Sequence, residues 1–161
     1  MIQLKKNTVL CVILIFSIFA LIAAYFIQHV LGHQPCNLCL IERVPYILTI
    51  IIIIINFIFK KFEKFFLINL VLIFISAALI SSYHVGIEQG FISESLVCDL
   101  KDQITSLSKE NILIELKNKT ISCKNVTFKI IGLSLATINT FISLILSFIT
   151  IRLFLNYEKN R

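Results

Sequence analysis

Charge is what this sequence has least of. Of its 161 residues only 15% are Asp, Glu, Lys or Arg, against 58% hydrophobic, and the mean hydropathy is +0.93. A soluble domain is roughly half apolar, so a chain of this length and composition cannot hide its apolar surface in a water-soluble globule. Glycine is scarce, with four in all, and none builds a phosphate-cradling loop. No Ser/His/Asp pattern stands out, and three histidines leave few choices for a histidine-ligated haem. Acidic residues number nine, against fifteen Lys and Arg, for a net charge of +6. Nine of the basic residues flank the apolar segments, and the six Lys of the 85–129 loop are matched there by six acidic residues, so no basic face forms and no nucleic-acid partner is expected.

What is present is four long apolar runs, about 9–27, 38–59, 65–83 and 130–151. Each is near the ~20 residues that a hydrocarbon core of ~30 Å requires. The first, third and fourth contain no Asp, Glu, Lys or Arg, and the second carries only Glu42 and Arg43, close to its start. The expected fold class is therefore an all-α membrane protein, a four-transmembrane-helix bundle forming one integral domain over residues 1–161. Lys5 and Lys6 before an apolar run can mark a cleaved signal. Here the run exceeds the usual ~7–15 residues and "FIQHVLGHQPC" has no small-x-small site, so a retained signal anchor is expected. Lys5 and Lys6, then "KKFEK" (60–64), then Arg152, Lys159 and Arg161 mark one side of the bilayer. By the positive-inside rule both termini and the "KKFEK" link are cytoplasmic, and the loops at about 28–37 and 84–129 face outward.

That topology sorts the five cysteines. Cys11 falls inside the first helix, where a small buried hydrophobe is expected. Cys36, Cys39, Cys98 and Cys123 fall outside, and four cysteines in an oxidising compartment suggest two disulfides, Cys36–Cys39 and Cys98–Cys123. Closing the long second loop constrains the unfolded chain by about 3–4 kcal/mol, so a structural staple suits Cys98–Cys123. A CxxC ring restrains almost nothing. Its spacing suits sulfurs that bond and release, and such thiols often ionise readily.

The stretch "QPCNLCLIERVPY" (34–46) supplies the setting. Pro35 is tolerated at the first turn of a helix, which places the start of the second helix near Cys36, with its free N–H groups and positive dipole end toward the sulfurs. Arg43, four residues after Cys39, is expected on the sulfur face as a permanent cation for a thiolate or for the oxygen of a quinonoid ligand. Snorkelling to lipid phosphate, or pairing with Glu42, is its plainer role. Glu42 is expected to point elsewhere on the helix, and Pro45 to bend or loosen its first turn. The third helix leaves the membrane through "SSYHVGIEQGF", where His84 and Glu88 share a face. His84 is either an ordinary interfacial histidine or a group that bonds a quinone oxygen or relays a proton.

His29, His33, Cys36 and Cys39 together offer two nitrogens and two sulfurs for a tetrahedral metal, which makes a membrane metal-binding or metal-transfer protein the alternative of another class. Covalent haem c is excluded, since Leu40 follows Cys39 where CxxCH needs His. In the second loop Leu100, Ile104, Leu107 and Ile114 recur at helical spacing, as a short amphipathic surface helix would. "NKT" (118–120) and "NVT" (125–127) match the glycosylation sequon, a short pattern that arises often by chance.

Taken together, "QPCNLCLIERVPY", "SYHVGIEQGF", the later Cys98 and Cys123, and "ISCKNVTFKIIGLSLATINTFISL" (121–144) leading into the fourth helix resemble the bacterial disulfide bond formation protein B (DsbB) family over nearly the whole chain. The resemblance implies a quinone-dependent thiol:disulfide oxidoreductase of the inner membrane with its redox loops in the periplasm. Its partners would be a periplasmic DsbA-like thiol oxidase, the membrane quinone pool (ubiquinone or menaquinone) and the lipid bilayer. It implies that Cys98 forms the mixed disulfide with the partner and that Cys123 exchanges with Cys36. Cys39, as thiolate, would face the quinone, with Arg43 and His84 beside it. A branch of the family that serves a dedicated partner shares this pattern. The vitamin K epoxide reductase family also combines a four-helix core, a CxxC and a loop cysteine pair, but there the loop pair comes first in the chain. A membrane protein merely stapled by its disulfides would have loop cysteines that do not cycle.

Overall fold

An apolar run in hydrocarbon finds no water for its backbone groups, so it closes its hydrogen bonds within itself as a helix. The computed structural model describes residues 2–59, 62–93, 123, 129–130 and 132–159. In chain order they form α1 (Ile2–His29), α2 (Asn37–Ile41), α3 (Val44–Ile58), α4 (Glu63–Glu88), the two-residue strands β1 (Lys129–Ile130) and β2 (Leu133–Ser134), and α5 (Leu135–Lys159). By length and composition, four spans of 22 to 26 residues can cross a membrane, α2 and α3 together making the second. The expected all-α, four-span architecture is the one observed.

The ends differ from expectation where local chemistry overrides hydropathy. Pro45 has no N–H, and its ring would crowd the carbonyl four residues earlier. The second span accordingly breaks at Glu42–Arg43 and restarts as α3 with Pro45 in its first turn. α4 runs past Tyr83 to Glu88, which puts His84 and Glu88 on the helix. It stops in a Schellman turn, with the Phe91 N–H on Gly86 O at 2.9 Å and the Gly90 N–H on Ile87 O at 3.0 Å. Gly90 there has φ 78°, the left-handed region that glycine enters without steric cost. α5 starts at Leu135 and not at Ile130. Residues 129–130 pair with 133–134 as antiparallel strands, and Ser134 Oγ then caps the helix by accepting the Thr137 N–H at 3.1 Å.

α4 and α5 share the most extensive contact, and α3 packs on both α1 and α4. The buried centre joins Leu10 and Ile13, Tyr46 and Ile53, Leu67, Leu70 and Phe74, and Leu146. Small hydroxyls occupy the helix contacts and bond back to their own helix, as Ser17 does to Ile13 O and Ser81 to Ala77 O. Large side chains such as Ile15, Phe19, Leu79 and Phe148 point outward, the arrangement suited to lipid as solvent. At one end, ion pairs Lys6–Glu63 and Lys64–Glu158 tie α1, α4 and α5 together. At the other end lie Cys36, Cys39 and Cys123. Cys11 is an exception to expectation: it is free and lies on the outer face of α1. The inward stripe of that helix is taken by Leu10, Ile13 and Ser17.

Candidate active site

The chain enters its second span through Pro35 and Cys36. Cys36 is extended (φ −71°, ψ 169°) and is the N-cap of α2, its Sγ accepting the Cys39 backbone N–H at 3.3 Å. Sulfur here takes the place usually held by a Ser or Asp oxygen. The same turn brings Cys39 Sγ to 2.8 Å from Cys36 Sγ. Both thiols are free, and a covalent bond of roughly 2.05 Å lies within a small rotation of the side chains.

α4 delivers His84, 2% exposed, with Nε2 3.5 Å from Cys36 Sγ. Its other nitrogen, Nδ1, lies 2.8 Å from Oε1 of Glu42. An ionised carboxylate only accepts, so Nδ1 carries a proton and donates it. Glu42 Oε2 accepts from Asn139 Nδ2 of α5 at 3.0 Å. The Asn139 amide is oriented in turn by the Tyr46 hydroxyl, which donates to its Oδ1 at 2.6 Å. A continuous polar chain therefore runs Tyr46, Asn139, Glu42, His84, Cys36 through three spans. Glu88 adds a second carboxylate, 3.9 Å from His84 Nε2, and accepts a hydrogen bond from Ser134.

Donors converge on the Cys36 sulfur. Its pKa is lowered from 9.0 to about 4, chiefly by the hydrogen bond from Cys39, with further lowering by His84 against the opposing effect of burial. In this reduced pair Cys36 holds the negative charge and the Cys39 thiol donates to it.

The third cysteine completes the site. Cys123 is disulfide-bonded and 3% exposed. It belongs to one buried cluster with Cys36, Leu38 and Ile87, against which Cys39 and Tyr83 pack. Of the expected site residues, Cys36, Cys39, Cys123 and His84 are thus brought together. Cys98 and the amphipathic pattern at Leu100, Ile104, Leu107 and Ile114 lie outside the described residues, as do both sequons.

Arg43 and Glu42 exchange the parts expected of them. The break before α3 rotates Arg43 toward α1, where Nη1 donates to Gln28 Oε1 at 2.7 Å and the guanidinium lies 5.1 Å from the Tyr25 ring centre. Glu42, expected to point elsewhere, faces His84. Sequence reasoning missed Asn139 and Tyr46 entirely. The available signals were Pro45 three residues after Glu42, which breaks the assumed face, and Asn139 as an amide in the apolar run 130–151, which has no charged residue. The expected metal set does not assemble either. His29 stacks on Tyr25 with centroids 6.2 Å apart, and among the described residues the group with metal-ligating spacing is Cys36, Cys39 and His84, whose ligand atoms lie within 4.8 Å of one another.

Two thiols nearly in bonding contact, a histidine on the first and a bonded cysteine packed against them are suited to thiol–disulfide exchange. Set in a bundle of membrane-spanning length, they define the class as a membrane thiol–disulfide oxidoreductase. The family model described as disulfide bond formation protein DsbB matches residues 6–153, and the chain belongs to that family. A curated relative, the uncharacterized protein RP370 of Rickettsia prowazekii (strain Madrid E), is 31% identical over 151 residues, covering 92% of this chain and 87% of its own length. No solved structure matches the chain.

Proposed function

We propose that this single-domain protein reoxidises a periplasmic, thioredoxin-like thiol oxidase of the DsbA kind and passes the electrons to a membrane quinone. The observation that carries the reading is the burial of bonded Cys123 in one cluster with Cys36, beside free Cys39. Two cysteine pairs far apart in sequence then form one exchange path.

A partner thiolate attacks Cys98, the Cys98–Cys123 bond breaks, and Cys123 leaves as thiolate with the electron pair. Cys123 attacks Cys36 of an oxidised Cys36–Cys39 pair, forming Cys36–Cys123 and releasing Cys39 as thiolate. The partner's second thiolate resolves its mixed disulfide and frees Cys98. Cys98 then attacks Cys123, restoring the loop disulfide and freeing Cys36. The partner leaves oxidised, and Cys36 and Cys39 carry its two electrons. Free Cys36 and Cys39 beside a bonded Cys123 match that last stage. Cys39 is the thiolate whenever Cys36 is tied in a mixed disulfide. In the fully reduced pair the donors favour charge on Cys36.

The donor set suits a quinone, either ubiquinone or menaquinone. Cys39 is half-buried in the same turn as outward-facing Leu40 and Ile41, and Arg43 keeps N–H groups beyond the one given to Gln28. Arg43, His84 and Cys39 are the residues assigned to hold it. When bound, it supplies the acceptor for two electrons and two protons. The charge pattern supports an inner-membrane orientation with both termini cytoplasmic and the cysteine end periplasmic.

The test is thiol-dependent loss of quinone absorbance by purified protein given a reduced periplasmic dithiol protein. The reading requires turnover in the wild type and none in Cys36→Ser or Cys98→Ser; unimpaired turnover in those variants overturns it. The Cys36, Cys39 and His84 trio also favours a second reading, capture of a soft divalent ion such as zinc. That reading requires stoichiometric zinc in the purified protein and no quinone loss.

A further inference from the structure

His84 touches Cys36 with one nitrogen and Glu42 with the other. Glu42 is braced by Asn139, and Asn139 by Tyr46. We infer that His84 is the proton acceptor for the Cys36 thiol, and that Glu42 and Asn139 are positioning residues that fix its tautomer and so decide which sulfur of the reduced pair carries the negative charge. The inference rests on the exchange reading above and adds a proton path to it.

Tyr46 O–H has one proton to give, and the acceptor beside it is Asn139 Oδ1. The amide must then turn its NH2 toward Glu42 Oε2. With one oxygen so held, Glu42 presents Oε1 to His84 Nδ1, which must be the N–H. In the neutral imidazole the Nε2 lone pair is thereby aimed at Cys36. Proton transfer breaks the Cys36 S–H bond and forms His84 Nε2–H, leaving thiolate, imidazolium and carboxylate in line with no change in net charge. It is the same division of labour that serves a cysteine nucleophile with a histidine base and a third orienting group. Oxidation of the dithiol releases two electrons and two protons. His84 would hold one of those protons at the membrane edge, the quinone of the proposed reaction being the acceptor for both electrons and protons when bound. A buried imidazolium without its carboxylate would be costly, so Glu42 is needed when the proton arrives.

The titratable and charged groups facing Cys36 are Cys39 on α2, Glu42 in the α2–α3 link, His84 with Glu88 and Tyr83 on α4, and bonded Cys123. Arg43 is turned to α1. Among these, two groups touch the sulfur, the Cys39 thiol, which donates to it, and His84 Nε2, the basic nitrogen whose lone pair can receive its proton.

The experiment measures iodoacetamide modification of Cys36 against pH on full-length protein in detergent, with the Cys36–Cys39 pair reduced and each cysteine peptide resolved by mass spectrometry. The wild type is compared with His84→Gln, Glu42→Gln and Asn139→Ala. The inference expects the Cys36 midpoint to rise by about one pH unit or more in the first two, with a rise also in Asn139→Ala, while helical circular dichroism is unchanged. An unchanged midpoint in folded His84→Gln and Glu42→Gln overturns it. An unchanged midpoint in Asn139→Ala alone overturns the role of the brace. If Glu42→Gln does not fold, Asn139→Ala decides the positioning claim, because it leaves the carboxylate in place. Failure of quinone turnover in the wild type sinks the exchange reading whatever the midpoints do, so the two failures are distinguishable.

Discussion

Nδ1 of His84 stands 2.8 Å from Oε1 of Glu42, a residue forty-two positions earlier in the chain, and its Nε2 stands 3.5 Å from the sulfur of Cys36. One buried side chain on α4 thus links the carboxylate that follows the CxxC motif to the first cysteine of that motif.

The first consequence concerns rate. General acid–base groups contribute about 10²–10⁴-fold, so His84→Ala should lower thiol-dependent quinone reduction by at least about 10²-fold. Formation of the mixed disulfide between partner and Cys98 should persist, because it precedes the step His84 serves. Stopped-flow quinone absorbance and non-reducing gels of the trapped mixed disulfide give the two readouts.

The pH dependence of Cys36 follows from the lowered pKa, from 9.0 to about 4. A thiolate is the reactive form, and a lowered pKa means that it dominates at every pH above about 4. Modification of Cys36 should therefore be flat through neutral pH and fall only as pH drops toward that value. An unperturbed thiol would instead gain about tenfold per unit on the way up to its ordinary range. The pH–rate profile of the reduced wild type checks this directly.

Arg43 is held by Gln28 and Tyr25 of α1. If its remaining donors serve a quinone oxygen, Arg43→Ala removes a charged hydrogen bond, worth about 1.5–3 kcal/mol. Expected is a rise of roughly tenfold or more in the KM for quinone, with the KM for the dithiol partner little changed. A steady-state matrix of both substrates separates the two.

Two stability predictions test the frame around the site. Tyr46→Phe keeps the ring in the core but leaves Asn139 Oδ1 without its donor, which should cost about 1 kcal/mol in a denaturant titration of the detergent-solubilised protein. Ser134→Ala removes both the cap of α5 and the bond to Glu88. Its cost should be about 1 kcal/mol, with faster hydrogen exchange confined to the first turn of α5.

How much of this was legible beforehand differs by level. Hydropathy in one dimension is enough for the number of spans, because lipid demands long apolar helices and little else does. Cys36 and Cys39 were equally legible, since a turn of helix puts residues three apart side by side wherever the chain folds. The positions of Arg43 and Glu42 were misread because the face argument assumed an unbroken helix. Pro45 was visible, but the angle its break imposes depends on what α3 packs against.

The sequence by itself determined a four-span membrane helix protein with a CxxC at the head of the second span, because composition and local spacing carry that information. Tertiary structure alone decided that Glu42, and not Arg43, faces His84, that Asn139 and Tyr46 brace it, and that Cys123 packs beside Cys36. Those relations join residues as many as ninety-seven positions apart. They exist only once α3, α4 and α5 pack, since a buried polar group takes whichever partner the neighbouring helix presents.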